Sequence, residues 1–302
     1  MTEPRLVVPP LTPFAADGTP DWAQLASQID YIVEQCRATD IVAAGVEAQE
    51  YHYLDMATRR ALIARTIEYT AGRRPVIVGV SHPDFRTAIA LAHHAERLGA
   101  ASIQMLAPNR AFGGPANDDD LVRYFEAVAA ETALPMVLYL NAGPGADVSV
   151  AGTIALARLA RVVMIKESSR DLARVSRLIV EIDTAGHARY LTTVQMLLIT
   201  LMLGGSGATM PPPVAEIARG VIDRFVAGDI AEATRLQLQF ALFPARWMHR
   251  GLTPTMKAAM ALIGRPVGGM YPPWQGLTEA ETTSLEALLR TPALAPQMSP
   301  AT

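Results

Sequence analysis

Cysteine is nearly absent. Cys36 stands alone among 302 residues, so neither a disulfide framework nor a cysteine metal cluster can be built. It falls in a segment of helical spacing and reads as a small buried apolar residue. A strong net charge is missing too. The 26 basic residues meet 29 acidic ones and the pI is near 6.1, which leaves no electrostatic footprint for nucleic acid or an anionic membrane. No apolar run approaches the ~18 residues of a membrane span. The longest, Met196 to Leu203, is broken at Gly204-Gly205. The first five residues hold no apolar signal-peptide core. No cluster of histidine and carboxylate gathers at successive strand ends for metal-assisted carbonyl chemistry. His82, His93 and His94 surround one helical segment on different faces and read as packing or solvent contacts. The expectation is a cytoplasmic protein with a small-molecule partner, without metal or organic cofactor.

Half the residues are hydrophobic and 18% are charged, enough for a large core. Short apolar runs alternate with segments of helical period. The extended stretch Leu6 to Phe14 is followed by a helix from about Asp21. The strands Asp40–Gly45, Pro75–Val80, Ser102–Leu106 and Pro135–Leu140 then interleave with helices over Met56–Tyr69, Phe85–Leu98, Leu121–Thr132 and Val150–Leu159. The run ending in Lys166, a helix over Leu172–Ile182, and the strands Tyr190–Val194 and Gly207–Met210 complete the series. Eight strands alternating with helices predict an α/β fold, a parallel (β/α)8 TIM barrel, with an open doubly wound sheet as runner-up. Beyond Pro211-Pro212-Pro213 only helices follow, over Val214–Val226, Ile230–Phe243, Pro254–Ile263 and Glu279–Leu289. The division expected is a barrel over 1–227 and a C-terminal helical region over 228–302.

In such a barrel the strand C-terminal ends form the active face. Val162-Val163-Met164-Ile165-Lys166 delivers a lysine there, and a side-chain period of two turns Lys166, Met164 and Val162 inward together. Burial lowers a lysine pKa, and the free amine attacks carbonyls to form a Schiff base. The alternative is a structural ammonium paired with Glu167, Glu47 or Glu50. Tyr139 holds the corresponding place on the preceding strand, with Val137 on the same inner face. It reads either as a proton donor and acceptor beside Lys166 or as a core tyrosine with a satisfied hydroxyl.

The chain also resembles the dihydrodipicolinate synthase and N-acetylneuraminate lyase family of class I aldolases. Four stretches carry the resemblance: Pro10-Leu11-Thr12-Pro13-Phe14 with Asp17-Gly18, Tyr139 with Asn141, Ile165-Lys166-Glu167-Ser168-Ser169, and Gly204-Gly205-Ser206-Gly207. The resemblance spans nearly the whole chain. It implies a barrel that is usually tetrameric, in which Lys166 forms a Schiff base with a 2-oxo acid and Tyr139 relays the proton. It also places Thr209 where family members line the substrate site.

Departures from the pattern bear on substrate. The loop after the second strand is usually Gly-Thr-Thr-Gly-Glu and holds the substrate carboxylate. Here it reads Val46-Glu47-Ala48-Gln49-Glu50, without both hydroxyls and with a new carboxylate. Pro108-Asn109-Arg110 stands where synthases carry a tyrosine pair, and Gly143-Pro144-Gly145-Ala146 where many carry an arginine. Arg110 offers a replacement cation. The expectation is a Schiff-base lyase for a 2-oxo acid or related carbonyl compound, an aldolase or a dehydratase or hydratase, and not the lysine-biosynthetic synthase. Its catalytic residues are Lys166 and Tyr139; Glu47, Ala48, Gln49, Arg110 and Thr209 contact substrate. A homo-oligomer, tetramer or dimer, is expected. A non-catalytic ligand-binding paralogue is the alternative.

Overall fold

A computed structural model describes residues 3–110, 116–240, 243 and 245–290. Eight parallel strands close into a barrel in sequence order: β1 Arg5–Val8, β2 Asp40–Ala43, β3 Val76–Gly79, β4 Ser102–Leu106, β5 Met136–Leu140, β6 Val162–Glu167, β7 Arg189–Thr193 and β8 Gly207–Thr209. β1 pairs with both β2 and β8, which closes the ring. The open-sheet alternative is thereby ruled out. Between the strands run α1 Trp22–Glu34, α2 Met56–Thr70, α3 Phe85–Arg97, α4 Asp118–Ala129, α5 Val150–Ala157, α6 Leu172–Leu178 and α7 Leu197–Met202; α8 Pro212–Val226 follows β8.

The helices begin where the sequence supplies caps. Asp21, Asp55, Asp84, Asn117, Ser149 and Asp171 each accept a main-chain N–H of the first turn with their side chains, satisfying donors a helix end leaves orphaned. Asn117 opens α4 three residues earlier than periodicity predicts, so the acidic run Asp118 to Asp120 forms its first turn, where the helix dipole favours negative charge.

The barrel interior is a small core of Val7, Val42, Ile77, Val137, Met164 and Leu191, while the larger core lies between sheet and helices. Lys166 and Met164 share the inner face, but Val162 does not. The register slips between Met136 and Val137, so that Val162 pairs with Met136 and Met164 with Val137. Val163 is the extra residue of a bulge, which inverts the alternation before it and leaves Val162 in the outer core.

Other segments differ from the extended patterns. Of the Leu6 to Phe14 stretch only the first three residues are strand, in β1 Arg5–Val8, and Phe14 makes isolated bridges to Pro20 and Gly269. The helix over Ile230–Phe243 resolves into α9 Ile230–Gln237 and a 3₁₀ turn over Leu238–Phe240; residues 241 and 242 lie outside the described residues. Further 3₁₀ turns cover Tyr51–Tyr53 and Ala245–Arg250, then come α10 Leu252–Leu262 and α11 Glu279–Leu289.

One ion pair ties this C-terminal part to the barrel. Lys257 on α10 meets Glu50 at 3.0 Å with both side chains buried. The same ammonium donates to the Gly269 carbonyl at 2.6 Å and lies 4.6 Å from the centre of the Phe14 ring.

Candidate active site

Lys166 ends the inward row of β6 and is almost fully buried. Its Nζ donates to Ser168 Oγ at 2.6 Å and lies 4.0 Å from the centre of the Tyr139 ring, because β5 and β6 place these residues as direct partners. The structural pairings open to Lys166 are all taken up elsewhere. Glu167 binds Arg174 and accepts from Tyr190 Oη at 2.7 Å. Glu50 belongs to Lys257. Glu47 accepts from Tyr139 Oη at 2.8 Å and from Asn141 Nδ2 at 3.0 Å. No carboxylate forms an ion pair with Lys166 among the described residues. Burial, reinforced by the Arg170 charge and opposed by Glu47 and Glu167, lowers its pKa to about 8.

Burial, then the Glu47 charge, holds the Tyr139 hydroxyl well above the usual phenol range. It therefore stays protonated and donates to Glu47. Asn141 Nδ2 also donates to Tyr139 Oη at 2.8 Å, so the phenol oxygen and the carboxylate share one amide. The result is a hydrogen-bonded cluster of three side chains, in which Asn141 orients the phenol and the carboxylate.

These groups open into a cavity of about 280 Å³ at the C-terminal ends of the strands, near the lower end for small-molecule sites. Glu47 lines it because the chain reverses sharply after β2. Ala44 takes a left-handed φ of 53°, and its carbonyl sits where a side chain at Gly79 would be, 2.1 Å from an ideal Cβ position. Only glycine permits that approach.

Of the residues expected at the substrate, Lys166, Tyr139, Glu47, Ala48 and Thr209 line this cavity. The Thr209 hydroxyl is buried with no hydrogen-bond partner among the described residues. Gln49 and Arg110 do not line it. Gln49 is turned into the protein, where its Oε1 accepts from Ala44 N and its main-chain carbonyl takes the Thr12 hydroxyl at 2.7 Å; it braces the loop. Arg110 borders a separate cavity with His82 and Tyr124 and pairs with Asp120, since its carboxylate partner lies in the first turn of α4. His93 and His94 contact the main-chain carbonyls of Glu131 and Arg60.

Gln104, Ser168 and Arg170 also line the cavity and escaped the reading of the sequence. The period of two signals the first two: Gln104 is a polar residue inward on buried β4, and Ser168 continues the row of Lys166. Arg170 is held by Gln195, whose Oε1 accepts from its Nε at 3.0 Å. Lys166 and Lys257 are the only lysines in the chain.

The fold and the site define the class: a class I lyase of the aldolase type. The chain belongs to the dihydrodipicolinate synthetase family, whose model matches residues 3–291. It is 28% identical over 286 residues to 4-hydroxy-tetrahydrodipicolinate synthase of Bacillus subtilis, covering 92% of this chain and 96% of the relative. The crystal structure of YagE, a prophage protein of the same family from Escherichia coli K12, in complex with pyruvate, superposes with a TM-score of 0.87 at 27% identity, over 95% of this chain and 97% of that one. N-acetylneuraminate lyase from Mycoplasma synoviae, at 19% identity and a TM-score of 0.80 over 96% of this chain and 98% of that one, shares the fold.

Proposed function

We propose that the protein cleaves or forms a bond next to a carbonyl group through an imine on Lys166, with a 2-oxo acid or related carbonyl compound as substrate. The observation that carries this reading is an uncompensated amine: Nζ is buried at a cavity wall, beside a phenol and without a carboxylate partner. YagE, a relative of similar length, was crystallised with pyruvate, which supports a pyruvate-type donor.

The free amine of Lys166 attacks the carbonyl carbon, and loss of water leaves an iminium. In the cleavage direction the bond between the first and second carbons beyond the iminium carbon breaks, and its electron pair flows into the iminium to give an enamine. The proton of the departing hydroxyl passes to Tyr139 Oη as the phenol proton moves to Glu47, so an aldehyde leaves. Protonation of the enamine and addition of water restore the amine and release the 2-oxo acid. Loss of water from a substrate hydroxyl would use the same iminium, with the path run toward the leaving oxygen. The carboxylate at Glu47 and the apolar Ala48 replace the family's paired hydroxyls, which speaks against the lysine-biosynthetic reaction.

Borohydride reduction in the presence of pyruvate, followed by intact-mass measurement and peptide mapping, tests the proposal. One adduct on Lys166, absent in Lys166→Ala, is expected. An adduct confined to Lys257 or the α-amine, or none with pyruvate and a panel of other 2-oxo acids, would overturn it. In that last case ligand binding without an imine would identify a non-catalytic binding protein.

A further inference from the structure

The cavity changes character with depth. At the strand ends its wall carries the polar groups, Lys166, Tyr139, Asn141, Gln104, Thr193 and Thr209, beside Val42 and Met210. On the loops and on the C-terminal segment above them it is lined by Val46, Pro144, Val194, Met248, Leu252 and Met256. Val46, Val194 and Met256 are themselves buried, whereas Met248 is 50% exposed. The C-terminal part is held to the catalytic loop directly, since the Thr253 hydroxyl donates to the Glu47 main-chain carbonyl at 3.2 Å. This joins α10, which carries Leu252 and Met256, to the loop that carries Val46 and Glu47.

Imine chemistry orients a substrate across this gradient. The carbonyl carbon is bonded to Nζ at the strand ends, and the bond that breaks joins the first and second carbons beyond it. The half that departs as an aldehyde then extends toward the loops. A polyhydroxylated chain would lose its water there and find aliphatic side chains and methionines in exchange, which is unfavourable without replacement hydrogen bonds. An alkyl or aryl group would gain by the same transfer, and methionine adapts to irregular apolar shapes and to ring edges.

We propose that the aldehyde half of the substrate is apolar, an alkyl or aryl aldehyde of compact size, and that Val46, Met248, Leu252 and Met256 select it. This rests on the imine reading of Lys166 and specifies its substrate class. Glu47 and Arg170 are the charged groups that the loops add to the wall; Arg170 makes a carboxylated aldehyde the competing class to test.

The experiment supplies the full chain with pyruvate and, separately, benzaldehyde, hexanal, D-glyceraldehyde and succinic semialdehyde, and measures kcat/KM for formation of the 4-hydroxy-2-oxo acid. Borohydride trapping of pyruvate is run in parallel. Benzaldehyde or hexanal is expected to exceed the other two at least tenfold, the scale of a few methylene contacts in a pocket. Met248→Gln, at a half-exposed position, is expected to lower that advantage several-fold while leaving the pyruvate adduct unchanged. A preference for glyceraldehyde or succinic semialdehyde, equal rates with all four, or a normal pyruvate adduct with no condensation would overturn the proposal. No pyruvate adduct would instead overturn the imine reading beneath it.

Discussion

Lys166 carries two opposing influences that can be separated by mutation. Burial and Arg170 favour its neutral amine, while Glu47 and Glu167 favour the ammonium. With a pKa of about 8, the fraction of free amine rises about tenfold per pH unit below that value and levels above it. The rate of imine formation with pyruvate is expected to follow this curve, measured by borohydride trapping at short times. Glu47→Gln removes a charge that stabilises the ammonium, so its midpoint should fall below that of the parent. Arg170→Ala removes a charge that destabilises it, so its midpoint should rise. Glu47→Gln should also lower turnover by roughly 10²–10³, the loss expected for a general base, while the pyruvate adduct persists. A midpoint that does not move in either variant would separate these residues from the amine.

At this scale Lys166 and Tyr139 were legible because strand ends and a period of two fix direction. Loop side chains have no such rule. The sequence could offer Glu47, Gln49 and Arg110 as candidates, but the left-handed turn at Ala44 sends the first into the cavity and the second into the core. Arg110 is drawn aside by an acidic helix start.

Among the elements, the alternation of strand and helix was readable because the barrel strands are short, apolar and capped into helices by Asp, Asn or Ser. The exceptions lie where period fails. The bulge at Val163 inserts a residue that no pattern announces, and the 3₁₀ turns at Tyr51–Tyr53 and Ala245–Arg250 have no run long enough to show one. The contact between α10 and the loop after β2 is a pairing of distant residues, invisible until both are placed. Lys257→Ala would strand the Glu50 carboxylate, and the expected cost is about 3–5 kcal/mol of stability, read from urea unfolding. Replacing both partners by hydrophobes, as in Lys257→Met with Glu50→Leu, should recover most of that loss. A single substitution without effect would show that the pair does not anchor the C-terminal part.

For the whole molecule, the fold puts every catalytic candidate on one face, and the C-terminal helices supply part of the wall above it. In the reading proposed here the strand ends carry the chemistry, and the loops and the C-terminal segment set what is admitted. This division explains why the reaction type could be read from a few strand residues, whereas the selecting wall could not: it is assembled from Val46, Pro144, Val194 and Met256, which stand on separate segments and share no motif. The two lysines add a consequence of their own. Both ε-amines are buried; apart from six histidines the remaining basic side chains are arginines, which do not condense with simple aldehydes as amines do. Among the described residues, then, no exposed ε-amine is offered to a carbonyl compound, and the amine at the cavity wall is left as the site of imine formation. Glutaraldehyde, which links proteins through exposed lysines, should accordingly leave the native protein's band unchanged in a denaturing gel whatever its assembly, while light scattering reports the assembly itself. Extensive cross-linking that peptide mapping assigns to Lys166 or Lys257, and not to the α-amine, would show that one of these amines reaches the surface in solution.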